Sequence, residues 1–186
     1  MNDADALVDA TARLLARHTQ VLLRGRISRT QWEHQVTQTI ARAHSQAFLL
    51  GTGERLDLRP DSALLNVRNL SQAERAVITN ATDLQRAYLK RFTQAMSSGD
   101  LSAAQIRART ASYADSVRVT ISRAATYGAD LPFHPGDGGT ECLTHCRCRW
   151  EQRGPLWYWV LDLTVEHCDG CRARADGSPY EAGYAS

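Results

Sequence analysis

All five cysteines of this chain fall between positions 142 and 171 of its 186 residues. They are Cys142, Cys146, Cys148, Cys168 and Cys171, reading C-x3-C-x-C, then nineteen residues, then C-x2-C. Between the two groups runs Arg149 to Leu161, with Gly154 and Pro155 near its middle. That pattern predicts two antiparallel strands around a turn, which fold the first cysteine group back onto the second. Counting outward from the turn places Cys142 roughly opposite His167, Cys146 roughly opposite Leu163, and Cys148 deeper along the ladder.

Thiolates gathered at the open end of a hairpin suit tetrahedral zinc. Cys142, Cys146, Cys168 and Cys171 fit the hairpin count best. Cys148 can replace Cys146, because residues two apart on a strand share a face. His145 and His167 are alternates, although a histidine beside a cysteine ligand is more often its neighbour. Four thiolates would leave no position open for water, so the expected metal is structural, not catalytic. Folding of so small a module and zinc binding are then one equilibrium. The competing readings are free cysteines buried in a small apolar core and a disulfide or redox dithiol at Cys168 and Cys171. No βαβ pattern surrounds that pair.

The start of the chain, Met1 to Asp5, is acidic and lacks the basic and apolar regions of a signal peptide. No stretch approaches the ~20 apolar residues needed to span a bilayer. The expectation is a reducing cytosol, where clustered cysteines are more often metal ligands than disulfides. An odd number of thiols also pairs badly. The net charge of +2 is too small to argue for a nucleic-acid surface by itself. Lys90 is the one lysine among 22 basic residues. That excess of arginine reads either as GC-rich codon usage or as a preference for forked donors that grip phosphate or carboxylate.

Upstream of the cysteines the periodicity is helical. From about Asp3 to Leu23, Leu7, Ala10, Leu14, Leu15, His18, Val21 and Leu22 form one stripe, with His18 at the core edge. Thr30-Gln31-Trp32-Glu33 reads as a capping box for a helix carrying Trp32, Val36, Ile40, Ala43, Ala47 and Leu50, which stops at Gly51-Thr52-Gly53. Residues 54 to 70 read as a loop with a short apolar run at Leu64 to Val67. Ser71-Gln72-Ala73-Glu74 caps a third helix with Val77, Ala81, Leu84, Tyr88, Phe92, Ala95 and Met96 on one side. Ser102-Ala103-Ala104-Gln105 caps a fourth, with Ile106, Thr110, Tyr113, Val117, Ile121 and Ala124 in register.

The expected fold is mainly α: a helical bundle or pair of helical hairpins with a small C-terminal zinc-bound β-hairpin module. Its boundaries fall at 1–130 for the helical body, 131–175 for the cysteine-rich module and 176–186 for a loose tail.

Catalytic signatures are missing: no G-x-S-x-G, no P-loop and no H-E-x-x-H occurs. His134 and Asp137 share a Gly-rich loop and read as turn formers without a nucleophile. His167 and Cys168 are adjacent, so on a strand they point to opposite faces. An enzyme is therefore not expected, and a thiol or metal enzyme stands third among the readings. Trp157-Tyr158-Trp159 with Arg147, Arg149, Arg153, Arg172 and Arg174 could stack bases and hold phosphates. On a hairpin, however, Trp157, Trp159, Leu161 and Leu163 alternate toward the helices, leaving Tyr158 and Asp162 on the other face.

With these residues laid out, the chain resembles tailed-phage and prophage minor head proteins, loosely related to the Mu F-like head morphogenesis proteins. One stretch carrying the likeness is Gly25-Arg26-Ile27-Ser28 with Trp32 and the Gly51-Thr52-Gly53 stop. The more specific one is Leu131-Pro132, Pro135-Gly136-Asp137-Gly138 and Cys142 through Trp150, then Trp159-Val160-Leu161 and Glu166-His167-Cys168 with Cys171. His145 departs from the asparagine or similar polar residue of the family pattern. The resemblance implies a virion component assembled in the host cytoplasm, meeting the portal or major capsid protein in an oligomeric assembly, without enzymatic activity. Packaged DNA is a further candidate partner. The rival class is a nucleic-acid-binding zinc protein, a regulator or DNA-packaging factor.

Overall fold

The structure, a computed structural model, describes residues 3–53, 70–142 and 146–183. The expected loop with its apolar run at 64–67 and His145 lie outside the described residues. Helices α1 (Asp3–Leu23), α2 (Arg29–Gly51), α3 (Gln72–Ser97), α4 (Ala103–Asp115) and α5 (Val117–Ala125) build the body. The chain then forms β1 (Arg149–Arg153), β2 (Leu156–Val160), the short helix α6 (Asp169–Asp176) and β3 (Tyr180–Glu181). The protein is mainly helical, with a small antiparallel sheet near its C-terminal end. Among the described residues no helix is long and apolar enough to cross a membrane.

Helix α1 stops where Gly25 takes a left-handed backbone at φ 67°, its N–H bonded to the Leu22 carbonyl at 2.8 Å. The capping box of α2 is Ser28 with Gln31, two residues earlier than the expected Thr30 box. Gln31 Oε1 accepts from the Ser28 amide at 2.8 Å while the Ser28 hydroxyl accepts from Gln31 N. Serine at 28 wins because α1's glycine turn delivers the chain into extended backbone there, at ψ 162°. The boxes at Ser71 and Ser102 form as the sequence predicts.

Helix α2 is the central element, touching α1, α3 and α5. Its expected stripe of Trp32, Val36, Ile40, Ala43 and Ala47 is buried, together with Leu7, Leu15, Phe92, Tyr113 and Val117. Trp32 meets Phe92 edge to face at 5.8 Å between centroids and donates to Thr19 Oγ1. Gly51 lets α2 end against α5: a Cβ there would sit 2.5 Å from the Ala124 Cβ and closer still to the Ile121 carbonyl.

Three packing expectations change. The buried face of α3 is Ile78, Thr82, Gln85, Leu89 and Phe92, not the stripe through Leu84 and Tyr88, which are exposed. The helix is rotated because Leu89 and Phe92 meet Trp32, and a face holding threonine and glutamine is buried in consequence. The fourth helix breaks at Ser116, whose hydroxyl bonds back to the Tyr113 carbonyl at 2.7 Å, giving α4 and α5. In the hairpin, Trp157 and Trp159 do not join the core of the five-helix body but a second core with Leu131, Phe133, Trp150, the cysteines and Ala175 of α6, and Leu163 is 93% exposed.

Strand order is β1-β2-β3, all antiparallel. Arg149 pairs with Val160 and Arg153 with Leu156, which is the register counted from Gly154. The stretch expected as a loose tail after Asp176 instead returns through Ser178 to β3, where Tyr180 pairs with Trp157. Its ring packs edge to face on Phe133 and Trp150.

Candidate metal centre

The cysteines lie just beyond the ladder's open end, not within it. The β1–β2 ladder ends at Arg149 and Val160, so the expected pairings of Cys142 with His167 and of Cys146 with Leu163 do not form; Cys146 and Cys148 sit in irregular backbone, and His167 lies beside Cys148. The second group is helical. Cys168 is the N-cap of α6 at φ −69° and ψ 161°, and Cys171 lies in its first turn, fully buried.

Two side chains dock the 140–142 turn onto this helix start. The Glu141 carboxylate accepts from the Gly170 amide at 3.1 Å, a favourable place for negative charge at a helix N-terminus. Its own carboxyl is held below the usual range by backbone and thiol hydrogen bonds. A Cβ at Gly170 would come within 2.7 Å of Glu141 Oε2 and push that carboxylate aside. The Thr140 hydroxyl lies 3.2 Å from Cys142 Sγ and 3.8 Å from Cys171 Sγ.

The sulfurs converge. Cys142 and Cys146 each lie 3.5 Å from Cys171, and Cys168 lies 3.6 Å from Cys142. Cys142, Cys146 and Cys171 are mutually within 4.8 Å, an arrangement that could hold a metal ion. Tetrahedral thiolates at a bond length of about 2.3 Å stand about 3.8 Å apart, close to these separations. No disulfide is present among them.

Cys148 takes a different position. It is buried, touches Cys146, and its Sγ lies 3.6 Å from His167 Nδ1. His167 Nε2 is 2.7 Å from the Asp162 carbonyl, so Nε2 carries the proton and Nδ1 accepts from the Cys148 thiol. The pair was not legible in the sequence, because it joins residues nineteen positions apart across the hairpin.

Protonation follows the crowding. The hydrogen bond that its thiol donates to Cys148, then burial, raise Cys146 above its ordinary value. Burial, then the neighbouring Cys142, Cys146 and Cys168 thiols, raise Cys171. Burial also works upward on Cys168, but the Cys171 and Cys142 amides outweigh it and leave that thiol below its usual value. Without a cation several thiolates cannot share so small a volume, and a divalent ion removes that conflict.

The surrounding residues are engaged in structural contacts of their own. Asp137 accepts from the His134 and Gly139 amides, both at 2.8 Å, so it shapes the Gly-rich turn. Burial, then the Arg123 charge, pushes His134 down to about 4. Of the arginines that could hold phosphate, Arg174 is enclosed, its guanidinium 4.1 Å from the Phe133 ring centroid and 5.1 Å from that of Trp159. Arg149 and Arg153 flank Glu151, and Arg172 lies 3.8 Å from Asp169. Trp159 is buried and cannot stack a base. Compared with known proteins, the chain matches no family model, no curated protein and no solved structure.

Proposed function

We propose that this chain is a non-enzymatic structural component of a tailed-phage head, a minor head protein whose C-terminal module is folded around one structural zinc ion. Cys142, Cys146, Cys168 and Cys171 are the ligands in this reading, and Cys148 is a hydrogen-bonded neighbour. The observation that carries the metal half is the mutual approach of the Cys142, Cys146 and Cys171 sulfurs within 4.8 Å, with Cys168 joining through Cys142 at 3.6 Å. Zinc suits a thiolate set of this size, and four sulfurs close the coordination sphere, which fits a clamp better than a catalyst. A module core of Leu131, Trp150, Trp159 and cysteines is too small to stand alone, so the ion completes it.

The head-assembly half is supported by the two stretches that resemble minor head proteins, residues 25–53 and 131–171. The expected partners are the portal and the major capsid protein. Elemental analysis of freshly purified protein tests the first half, with one zinc per chain expected and none refuting it. Co-purification with portal and capsid proteins of the same genome, followed by mass spectrometry of assembled particles, tests the second. Absence of the chain from particles and proheads alike sinks the assembly role while leaving the zinc clamp intact. The nucleic-acid reading loses Trp159 and Arg174 as contact residues, and salt-dependent DNA binding at low ionic strength would restore it.

A further inference from the structure

A cavity of about 550 Å³ opens in the helical body, away from the cysteines. Helices α3, α4 and α5 form three of its sides, Gly136 to Gly138 the fourth, and His44 of α2 is reached at its floor. Its walls are apolar where α3 turns its unburied stripe inward: Leu84 and Tyr88, which no core absorbs, face Val119, Phe92 and Tyr113.

Three guanidinium groups also line it, each from a different helix: Arg91 of α3, Arg109 of α4 and Arg123 of α5. None of them has a carboxylate partner among the described residues. Arg91 lies over the Tyr88 ring and Arg109 over that of Phe92. Asp137, the one carboxylate among the described lining residues, is already committed to two backbone amides and to Arg174 at 3.7 Å. The floor adds no charge: burial pushes His44 down to about 4, and its Nδ1 lies 2.7 Å from the Thr120 hydroxyl. Positive charge is therefore confined to arginine, while the interior is apolar and neutral.

We propose that this cavity binds a small amphipathic anion, an organic molecule with a flat apolar body and one carboxylate or phosphate head. The volume lies within the range of small-molecule sites, ~300–1,000 Å³, and a blind floor suits a compact ligand better than a through-running helix. Arginine forks grip carboxylate and phosphate through paired N–H donors, and three of them left without an anion are a site lacking its complement. The body of the ligand would lie against Tyr88, Leu84 and Tyr113, its head among the arginines. This inference does not rest on the metal reading or on the head-assembly role.

The test is calorimetric titration of the full chain as purified with 2-naphthyl phosphate and 2-naphthoate, against neutral 2-naphthol and inorganic phosphate. Both anions are expected to bind at least tenfold more tightly than either naphthol or phosphate alone. The double variant R109Q/R123Q should weaken them at least tenfold with an unchanged far-UV spectrum. Should that variant not fold, Ala81→Trp, which fills the cavity, should abolish binding instead. Naphthol binding as tightly as the anions would reduce the cavity to an apolar surface. Inorganic phosphate binding equally well would reduce it to a charged one. No binding of any of the four, or binding only of acidic peptides, overturns the proposal outright.

Discussion

Acidification should destabilise the helical body through His44 in particular, and the structure gives the size of the effect. His44 is 1% exposed and is held uncharged by burial, its pKa lowered from 6.5 to about 4. A group lowered in this way contributes stability that is complete above its unfolded pKa and is lost as pH falls toward the folded value. The window is therefore from about pH 6.5 down to about pH 4. Each unit corresponds to about 1.4 kcal/mol, so some 2.5 kcal/mol should be gone by about pH 4.5.

Carboxylates and other histidines titrate in the same window, so the measurement is a difference. Urea unfolding followed by far-UV circular dichroism at pH 7 and pH 4.5 is compared between the natural chain and His44→Gln. Glutamine can still meet the Thr120 hydroxyl but cannot take up a proton in this range. The natural chain should lose about 2 to 3 kcal/mol more than the variant on acidification. Equal losses would refute the claim that His44 is buried and neutral in the folded body.

Gly51→Ala should cost about 1 to 3 kcal/mol of stability in thermal or urea unfolding, because the new methyl meets the Ile121 carbonyl and the Ala124 side chain. Zinc content should separate the cysteines: Cys148→Ser is expected to retain one ion per chain and Cys171→Ser to lose it, and the reverse would assign the wrong four ligands. Tyr180→Ala removes the ring that packs on Phe133 and Trp150, both at 5.3 Å, and should weaken zinc retention against a chelator. It should also destabilise the module by about 2 kcal/mol, read from tryptophan fluorescence while the helical signal holds.

Much of this architecture is legible in the residues alone. Helix existence, the glycine stops, and the boxes at Ser71 and Ser102 are local signals, and the hairpin register follows from one turn. The orientation of α3 was not legible. Its Val77–Leu84–Tyr88 stripe is as apolar as the Ile78–Leu89–Phe92 face, and only the position of Trp32 on α2 decides between them. The break at Ser116 depends on a hydroxyl returning to its own helix, which a continuous apolar stripe conceals. At the cysteine cluster the spacing predicted that the two groups come together but left the ligand set open, and the helical setting of Cys168 and Cys171 emerged only with the docking of Glu141 on Gly170. Strand β3 was hidden because two residues of pairing leave no periodic trace.

Among the described residues, the sheet order β1-β2-β3 leaves the outer side of β1 without a strand neighbour. An open ladder is a template on which another chain can add a strand, and the hazard grows with local concentration. Here Arg149, Glu151 and Arg153 occupy alternate positions on that strand, with Glu151 held between the two arginines at 3.8 and 3.1 Å. A strand arriving from another copy would bring its own Arg149, Glu151 and Arg153 beside this charged row. The charged row should therefore make this edge a poor template for such an addition even where copies are crowded.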